Sequence, residues 1–125
     1  MKLEQASLTF IGGGNMAASI IGGLLAAGID ARHISVSDPS NESLERVCQL
    51  GDVQATQDNA TAVAAADVVI MAVKPQLMRE IAEGLAPALQ AKQPLVISIA
   101  AGIRSASLSQ WLRGNCPVGR CMPNT

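Results

Sequence analysis

Aromatic side chains are almost absent from this chain. Phe10 and Trp111 make up the whole aromatic content, which is 2% of 125 residues, and there is no tyrosine. Proteins that stack the bases of single-stranded nucleic acid need several aromatic rings, so the scarcity argues against that function. A formal net charge of −1 also gives no basic surface for a polyanion. The core must therefore be built from aliphatic side chains and methionine, which suits parallel strands covered by helices.

Cysteine is also scarce, and its positions form no known pattern. Cys48, Cys116 and Cys121 are odd in number and include no C-x-x-C pair, so they indicate neither a disulfide framework nor a zinc site. Reduced thiols in a cytoplasmic protein are the simplest interpretation. No apolar run reaches transmembrane length, and the N-terminus lacks the basic-then-apolar form of a signal peptide. We expect no metal, no membrane partner and no nucleic-acid partner.

The balance of residue types indicates one globular domain. Hydrophobic residues make up 49% of the chain and charged residues 15%, unlike a disordered segment. A length of 125 residues is enough for one domain with a core and too short for two ordinary ones. We therefore expect a single domain over residues 1–125.

One glycine-rich segment is expected to organise the fold. Residues 10–17 read FIGGGNMA; they overlap an apolar run at 8–11 and precede apolar residues at helical spacing. Gly12, Gly14 and Ala17 fit the dinucleotide-binding pattern G-x-G-x-x-G/A. The first glycine permits a tight turn, the second lets a pyrophosphate approach the backbone, and the small third residue lets the helix pack on the strand. The unpaired amides at the start of that helix favour an anion.

Strand and helix patterns alternate along the rest of the chain. Strands are expected at residues 8–11, 34–37, 53–55, 68–73, 95–99 and 118–122. Helices are expected at 15–27, at 41–50, at 60–66, across 77–89 and after Ser105. Pro87 should bend or shorten the fourth helix. The alternation predicts an α/β, Rossmann-type, doubly wound and mainly parallel sheet of about six strands with helices on both faces.

Small and polar residues gather where these strands end. Ligands of an open parallel sheet bind outside the carboxyl ends of its strands. The residues found there are 12–14, 37–38, 73–75, 100–102 and 124–125. Their convergence on one edge predicts a ligand site more strongly than any single motif.

Three polar residues at this edge each allow two interpretations. Asp38 lies about 20 residues after Ala17, near the position of an acid that binds a ribose hydroxyl, but Asp38-Pro39 is equally a turn or cap. Lys74 either offers a cation to a phosphate or substrate or is a solvated lysine at a strand end. Asn59 either bonds a ribose or adenine edge or caps a helix, and the sequence favours the cap.

No catalytic residue can be assigned. His33 precedes the second strand on the side away from the ligand edge, and we interpret it as a loop residue. Trp111 is interpreted as core on the last helix. Ser98 and Ser105 have no histidine partner except the distant His33, so no nucleophile–base pair can be assembled. Hydride transfer does not need one, because the cofactor carries the reactive atom.

Four segments together resemble a known family. They are FIGGGNMA at 10–17, AVKPQ at 72–76, SIAAGI at 98–103 and RCMPNT at 120–125. In order and spacing they are similar to the N-terminal half of pyrroline-5-carboxylate reductase in its bacterial version, and the resemblance covers essentially the whole chain. The AVKP and MPNT elements are more specific than the glycines. That family reduces 1-pyrroline-5-carboxylate to L-proline with NAD(P)H, in the last step of proline biosynthesis.

The resemblance implies where NADP(H) or NAD(H) would bind. The pyrophosphate would lie against Ile11, Gly12, Gly13, Gly14, Asn15 and Met16. The adenosine side would meet Ser37, Asp38 and Asn59. The middle of the cofactor would meet Ala72, Val73, Lys74 and Pro75. The nicotinamide and substrate would lie towards Ile99, Ala100, Ala101, Met122, Pro123, Asn124 and Thr125.

Two departures from the family pattern affect what is expected. The second, helical half of the family, which forms the dimer and most of the imino-acid pocket, is expected to be absent. Full-length members of the family are expected to be homo-oligomers. These 125 residues alone should bind cofactor but turn over little or no substrate. An acid at Asp38 would repel the 2′-phosphate of NADPH, unless it turns away and leaves Ser37, Ser40 and Asn41 to bind that group. The choice between NADPH and NADH therefore stays open.

Two other functions are compatible with the fold. One is a non-catalytic nucleotide-binding or sensing domain. The other is a different Rossmann dehydrogenase of the 3-hydroxyacid or prephenate type, which the Met-Pro-Asn-Thr segment argues against.

Overall fold

The computed structural model describes residues 5–99, 110–111 and 118–120, and strands alternate with helices throughout. The strands are β1 Leu8–Ile11, β2 Ile34–Ser37, β3 Gln54–Thr56, β4 Val68–Met71, β5 Leu95–Ser98 and β6 Val118–Arg120. The helices are α1 Asn15–Ala26, α2 Asn41–Cys48, α3 Asn59–Val63 and α4 Pro75–Lys92, with a short 3-10 helix at Ala31–His33. Within these ranges, no helix is both long and apolar enough to cross a membrane.

All six described strands form one parallel sheet in the order β3-β2-β1-β4-β5-β6. The chain winds outward from β1 to β3 and then returns to place β4 on the other side of β1, so the strand order reverses between β1 and β4. Ile11 pairs in register with both Ser37 and Met71, which brings the carboxyl ends of the three central strands level. The predicted Rossmann-type sheet is confirmed, and its strand order reverses beside the glycine segment that follows β1.

Helices cover both faces of the sheet, as predicted. On one face, α1 and α2 pack on the strands through a cluster that includes Phe10, Ile21 and Val47. On the other face, α3 and α4 pack through a cluster that includes Met78. The half-buried Trp111 packs against this second cluster, in agreement with its interpretation as a core residue. Every residue of β1 is buried, because this strand lies between both layers of helices.

The element boundaries differ from the prediction at several ends. Strand β4 stops at Met71 instead of residue 73, because Lys74 is the extended cap residue before α4 and Pro75 opens that helix. Helix α4 continues through Pro87 to Lys92, so the expected shortening is wrong. Pro87 is exposed, and the buried Leu85 and Leu89 hold the helix on the sheet on either side of it.

The remaining boundaries shift by a few residues. Helix α2 ends at Cys48, before a turn, instead of residue 50, and α3 covers Asn59–Val63 instead of 60–66. Strand β3 runs over Gln54–Thr56 instead of 53–55. Residues 110–111 are helical, but the expected start of that helix at Ser105 and the expected end of β6 at 121–122 lie outside the described residues.

Candidate functional site

A cleft of 360 Å³ opens at the carboxyl ends of β1, β2 and β4. Most of the predicted cofactor residues that the structure describes line it: Ile11, Gly12, Gly14, Ser37, Asp38, Asn59, Ala72, Val73 and Lys74. The strand order reverses at this point, and loops on either side of a reversal separate to leave a crevice. The sheet topology therefore brings together residues that are far apart in the sequence.

Gly12 is required by the fold itself. Its φ of +105° lies in a region that residues with a side chain rarely adopt, and a Cβ atom here would come within 2.7 Å of the Ala72 carbonyl oxygen. Its amide donates to the Ser37 carbonyl at 2.7 Å. Gly12 thus lets the chain leave β1 while touching the ends of both neighbouring strands.

Gly14 is not constrained by the protein in the same way. It is the exposed residue before α1, its φ is −76°, and beyond its chain neighbours no atom of the described residues lies within 4 Å of the position a Cβ would take. No side chain caps α1, and no acidic residue lies in its first turn. The positive end of the helix dipole and its unpaired amides therefore face open space beside the cleft, where an anion is favourable.

Asp38 acts as a turn residue at this edge. Its Oδ1 accepts a hydrogen bond from the Ser40 amide at 2.8 Å, and its Oδ2 accepts one from the Gly13 amide at 2.8 Å. The turn interpretation of Asp38-Pro39 is therefore seen in the structure. Gly13 is buried, and its N–H points at Asp38 instead of the cleft.

Asn59 faces the cleft and is not the residue that caps α3. Asp58 holds the cap position, and a hydrogen bond from the Thr61 hydroxyl keeps the pKa of the Asp58 carboxyl below its usual value. The Asn59 side chain turns towards the sheet, where its Oδ1 accepts a hydrogen bond from the Ser37 hydroxyl at 2.5 Å. Ser37 is only 1% exposed, so this contact fixes the Asn59 amide at the wall of the cleft.

The segment after β4 forms the opposite wall. The Ala72 amide donates to the Ile11 carbonyl at 2.8 Å, which holds this segment against the end of β1. Lys74 is exposed and carries the positive charge among the residues that line the cleft. Within the described ranges its ammonium group forms no ion pair, and it remains available to an anionic ligand. Pro75 begins α4 and lies outside the lining.

A second groove of 520 Å³ adjoins the cleft between α3 and α4. The two share Pro39, Asn59, Leu77 and Ile81. The sequence pattern places Leu77 and Ile81 on the core stripe of α4, but Leu77 is 44% exposed and faces the groove. Ser43, which lines the cleft from the first turn of α2, was not predicted. The one related signal in the sequence is that Leu77 and Met78 are adjacent apolar residues. Two neighbouring positions on a helix widen its apolar face, so one of them need not reach the core.

The other predicted residues lie around this edge or outside the described residues. Ile99 is buried just beyond β5, with its amide bonded to the Met71 carbonyl at 3.2 Å. Asn15 and Met16 are exposed in the first turn of α1. Ala100, Ala101, Met122, Pro123, Asn124 and Thr125 lie outside the described residues. His33 lies before β2, at the opposite edge from the cleft, as predicted.

Comparison with known proteins gives consistent similarities. The family described as NADP oxidoreductase, coenzyme F420-dependent, matches residues 7–102. The pyrroline-5-carboxylate reductase of Pseudomonas aeruginosa is 52% identical over 123 residues, which are 98% of this chain and 45% of that protein. The solved structure of a pyrroline-5-carboxylate reductase from Coxiella burnetii superposes with a TM-score of 0.91 at 40% identity, covering 96% of this chain and 44% of that one.

A more distant solved structure has the same fold. The Plasmodium falciparum pyrroline carboxylate reductase, crystallised with NADP bound, gives a TM-score of 0.81 at 23% identity over 98% of this chain and 44% of that one. The chain spans less than half the length of the curated relatives it matches.

Proposed function

The chain belongs to the oxidoreductase family described as NADP oxidoreductase, coenzyme F420-dependent, and from that premise we propose that it is the cofactor-binding part of a pyrroline-5-carboxylate reductase. The observation that carries the proposal is the cleft at the strand reversal, with an uncapped helix start at Gly14 and a cation at Lys74. The 52% identity to the Pseudomonas aeruginosa reductase supports the choice of substrate. The reaction is reduction of 1-pyrroline-5-carboxylate to L-proline.

The bound NADP(H) or NAD(H) would supply the hydride, and the residues of this chain would hold the cofactor in place. The pyrophosphate would bind at Gly14, Asn15 and Met16, where the amides of α1 begin without a side-chain cap. The adenosine ribose would lie against the pair formed by Ser37 and Asn59.

The middle of the cofactor and the nicotinamide would follow the strand ends. The segment from Ala72 to Pro75 would pass along the middle, with the Lys74 ammonium near a phosphate. We propose that the nicotinamide and the substrate lie towards Ile99 and the predicted residues Ala100, Ala101, Met122, Pro123, Asn124 and Thr125.

We propose the context of the whole protein on the same basis. Residues 1–125 would form one NAD(P)-binding domain, and a helical part of the kind found in the family would complete the imino-acid pocket. The full-length protein would be cytoplasmic and homo-oligomeric. A nucleotide sensor or a dehydrogenase of the 3-hydroxyacid or prephenate type is not favoured, because the curated relatives at 32–52% identity carry the reductase name.

Substitution of Gly14 tests the proposed pyrophosphate site. Gly14→Val would place a branched side chain in the open space where the pyrophosphate must approach the backbone. Calorimetric titration should show affinity for NADPH or NADH lowered at least tenfold, which is about 1.4 kcal/mol or more.

Gly23→Val is the matched control, because Gly23 is exposed on α1 and, outside that helix, no atom of the described part of the chain lies within 4 Å of the position its Cβ would take. The control should bind like the parent chain. If a folded Gly14→Val variant binds the cofactor as tightly as the parent chain does, the glycine segment is only a turn. Binding of ADP as tight as that of NADPH would instead favour a sensor.

A further inference from the structure

The Asp38 carboxylate bonds to two backbone segments, one on each side of the cleft's glycine edge. One oxygen accepts the amide of Gly13 in the glycine segment, and the other accepts the amide of Ser40 before α2, both at 2.8 Å. Hydrogen bonds to an ionised carboxylate are stronger than those between neutral groups. The turn between β2 and α2 is thus fastened to the segment that leaves β1.

The support that carries Asp38 is itself fixed. Pro39 follows it with a restricted φ. The side-chain nitrogen of Gln57 donates to the Pro39 carbonyl at 3.0 Å and to the side-chain oxygen of Asn41 at 3.1 Å. The Asp38 amide donates to the Thr56 carbonyl at 3.2 Å. Thr56 of β3 and the adjacent Gln57 therefore fix the backbone that carries the Asp38 carboxylate in the absence of a ligand.

A second contact ties the same two regions together. Arg46 on α2 donates from Nη1 to the side-chain oxygen of Asn15, the first residue of α1, at 2.9 Å. Together with the Asp38 contact, this places bonds on either side of Gly14. The exposed Gly14 is left between two anchored neighbours, which is the arrangement expected of a preformed site.

The bond to Gly13 also restricts where an anion can bind. The Gly13 amide is occupied by Asp38, and a Cβ at Gly13 would lie 3.3 Å from Val36, so this residue is packed onto the end of β2. A pyrophosphate would use the amides that follow, in the first turn of α1. The negative charge of Asp38 is directed at the protein backbone through both of its oxygens.

We propose that Asp38 is a positioning residue for the glycine segment and does not select between NADH and NADPH. It shapes the pyrophosphate site, which both cofactors use, by holding the Gly13 amide and the turn before α2. A ribose-binding acid would instead favour NADH and disfavour the 2′-phosphate of NADPH. The proposal rests on the proposed function for its ligand, but the bond to Gly13 is a property of the free chain.

Asp38→Asn tests this role, because one acceptor oxygen becomes an NH₂ group that cannot accept an amide proton. Affinities for NADPH, NADH and ADP, measured by calorimetry, should fall together by about tenfold. The NADPH/NADH ratio should stay within twofold of that of the parent chain. In the free Asp38→Ala chain, which lacks both acceptor oxygens, hydrogen exchange at the Gly13 amide should become at least tenfold faster, while exchange at the Gly12 amide, which bonds the Ser37 carbonyl, should not change.

Asp30→Asn is the matched control. Asp30 also accepts the amide two residues later, from Arg32 at 2.9 Å, but it lies before β2 at the opposite edge from the cleft. Its substitution should leave all three affinities unchanged. If Asp38→Asn does not fold, Asp38→Ser gives the same comparison, because a serine hydroxyl can still support the turn at Ser40.

Two outcomes would overturn the proposal. One is a tenfold shift of the NADPH/NADH ratio towards NADPH, which would make Asp38 a ribose ligand. The other is unchanged exchange at Gly13 in a folded Asp38→Ala variant. If the parent chain binds no dinucleotide, the proposed function fails, and the exchange measurement alone decides whether Asp38 holds the glycine segment.

Discussion

Gly12 and Gly14 are two residues apart and are glycines for different physical reasons. Gly12 combines a positive φ with contact to the Ala72 carbonyl, so a side chain would clash with fixed backbone. Gly14 has an ordinary φ and open space around it. A requirement for glycine at 12 therefore follows from the fold, whereas a requirement at 14 would follow from the pyrophosphate site proposed there.

Thermal or urea unfolding of two alanine variants should distinguish the glycine that the fold requires from the one that it does not require. Gly12→Ala should lower the free energy of unfolding by roughly 2–3 kcal/mol, because the strained backbone cannot relax away from Ala72. Gly14→Ala should lower it by only about 0.5–1 kcal/mol, because Gly14 is the N-cap residue of α1 and alanine is a poorer N-cap than glycine. Equal effects at the two positions would contradict the contact described for Gly12.

The sequence predicted which residues line the cleft better than it predicted the hydrogen bonds that those residues form. The positions of Gly12 and Gly14 between β1 and α1 follow from a local pattern, so they could be inferred before the structure. The bond between Ser37 and Asn59 could not, because it depends on the lateral placement of α3 against β2. For Asp38 the sequence left a turn and a ribose contact equally open, since both place a carboxylate at the end of β2.

At the scale of elements, α4 shows that a local rule can be outweighed by packing. Pro87 cannot donate a backbone hydrogen bond inside a helix, and on that ground the helix was expected to be bent or shortened. The helix nevertheless reaches Lys92, because Leu85, Ala86 and Leu89 are buried around the proline. Burial of those side chains outweighs one missing hydrogen bond.

Replacing this proline should therefore stabilise the protein. Pro87→Ala restores the missing N–H at an exposed position, and the free energy of unfolding should rise by about 1–2 kcal/mol, less than the full helix preference because the unfolded chain also gains freedom. Pro75→Ala is the control, since Pro75 occupies the first turn of α4, where the N–H has no helical partner. A gain at Pro75 as large as at Pro87 would show that helical hydrogen bonding is not the cause.

At the scale of the whole molecule, the alternation of strand and helix patterns was enough to predict the parallel sheet. The resemblance to pyrroline-5-carboxylate reductase, which rested on four segments, is confirmed by the relatives that match nearly the whole chain. The sequence did not reveal the groove beside Leu77. Its shape depends on the gap between α3 and α4, and a periodic apolar pattern does not show which of its residues meet the sheet.

The openness of the cleft determines what activity we expect of these 125 residues by themselves. The described cleft is open to solvent, and holding an imine in a closed pocket beside the nicotinamide can supply roughly 7–11 kcal/mol of a reaction barrier. The isolated chain should bind NADPH or NADH in calorimetry and form no proline above background from 1-pyrroline-5-carboxylate. The Pseudomonas aeruginosa reductase, which is more than twice as long, is the positive control. Turnover at the rate of that enzyme would place the substrate pocket within residues 1–125.

The central position of β1 also affects how the chain folds during synthesis. Leu8 pairs with Ile34 on one side and with Val68 on the other, so the second partner of β1 is made long after β1 itself. At roughly 5–20 residues per second, a ribosome takes seconds to supply it. During that interval one edge of a strand that is entirely buried in the folded chain is unpaired, and sheets built from such distant pairings form slowly. The segment that ends in the glycine turn is therefore the one that a chaperone has most reason to protect on the nascent chain.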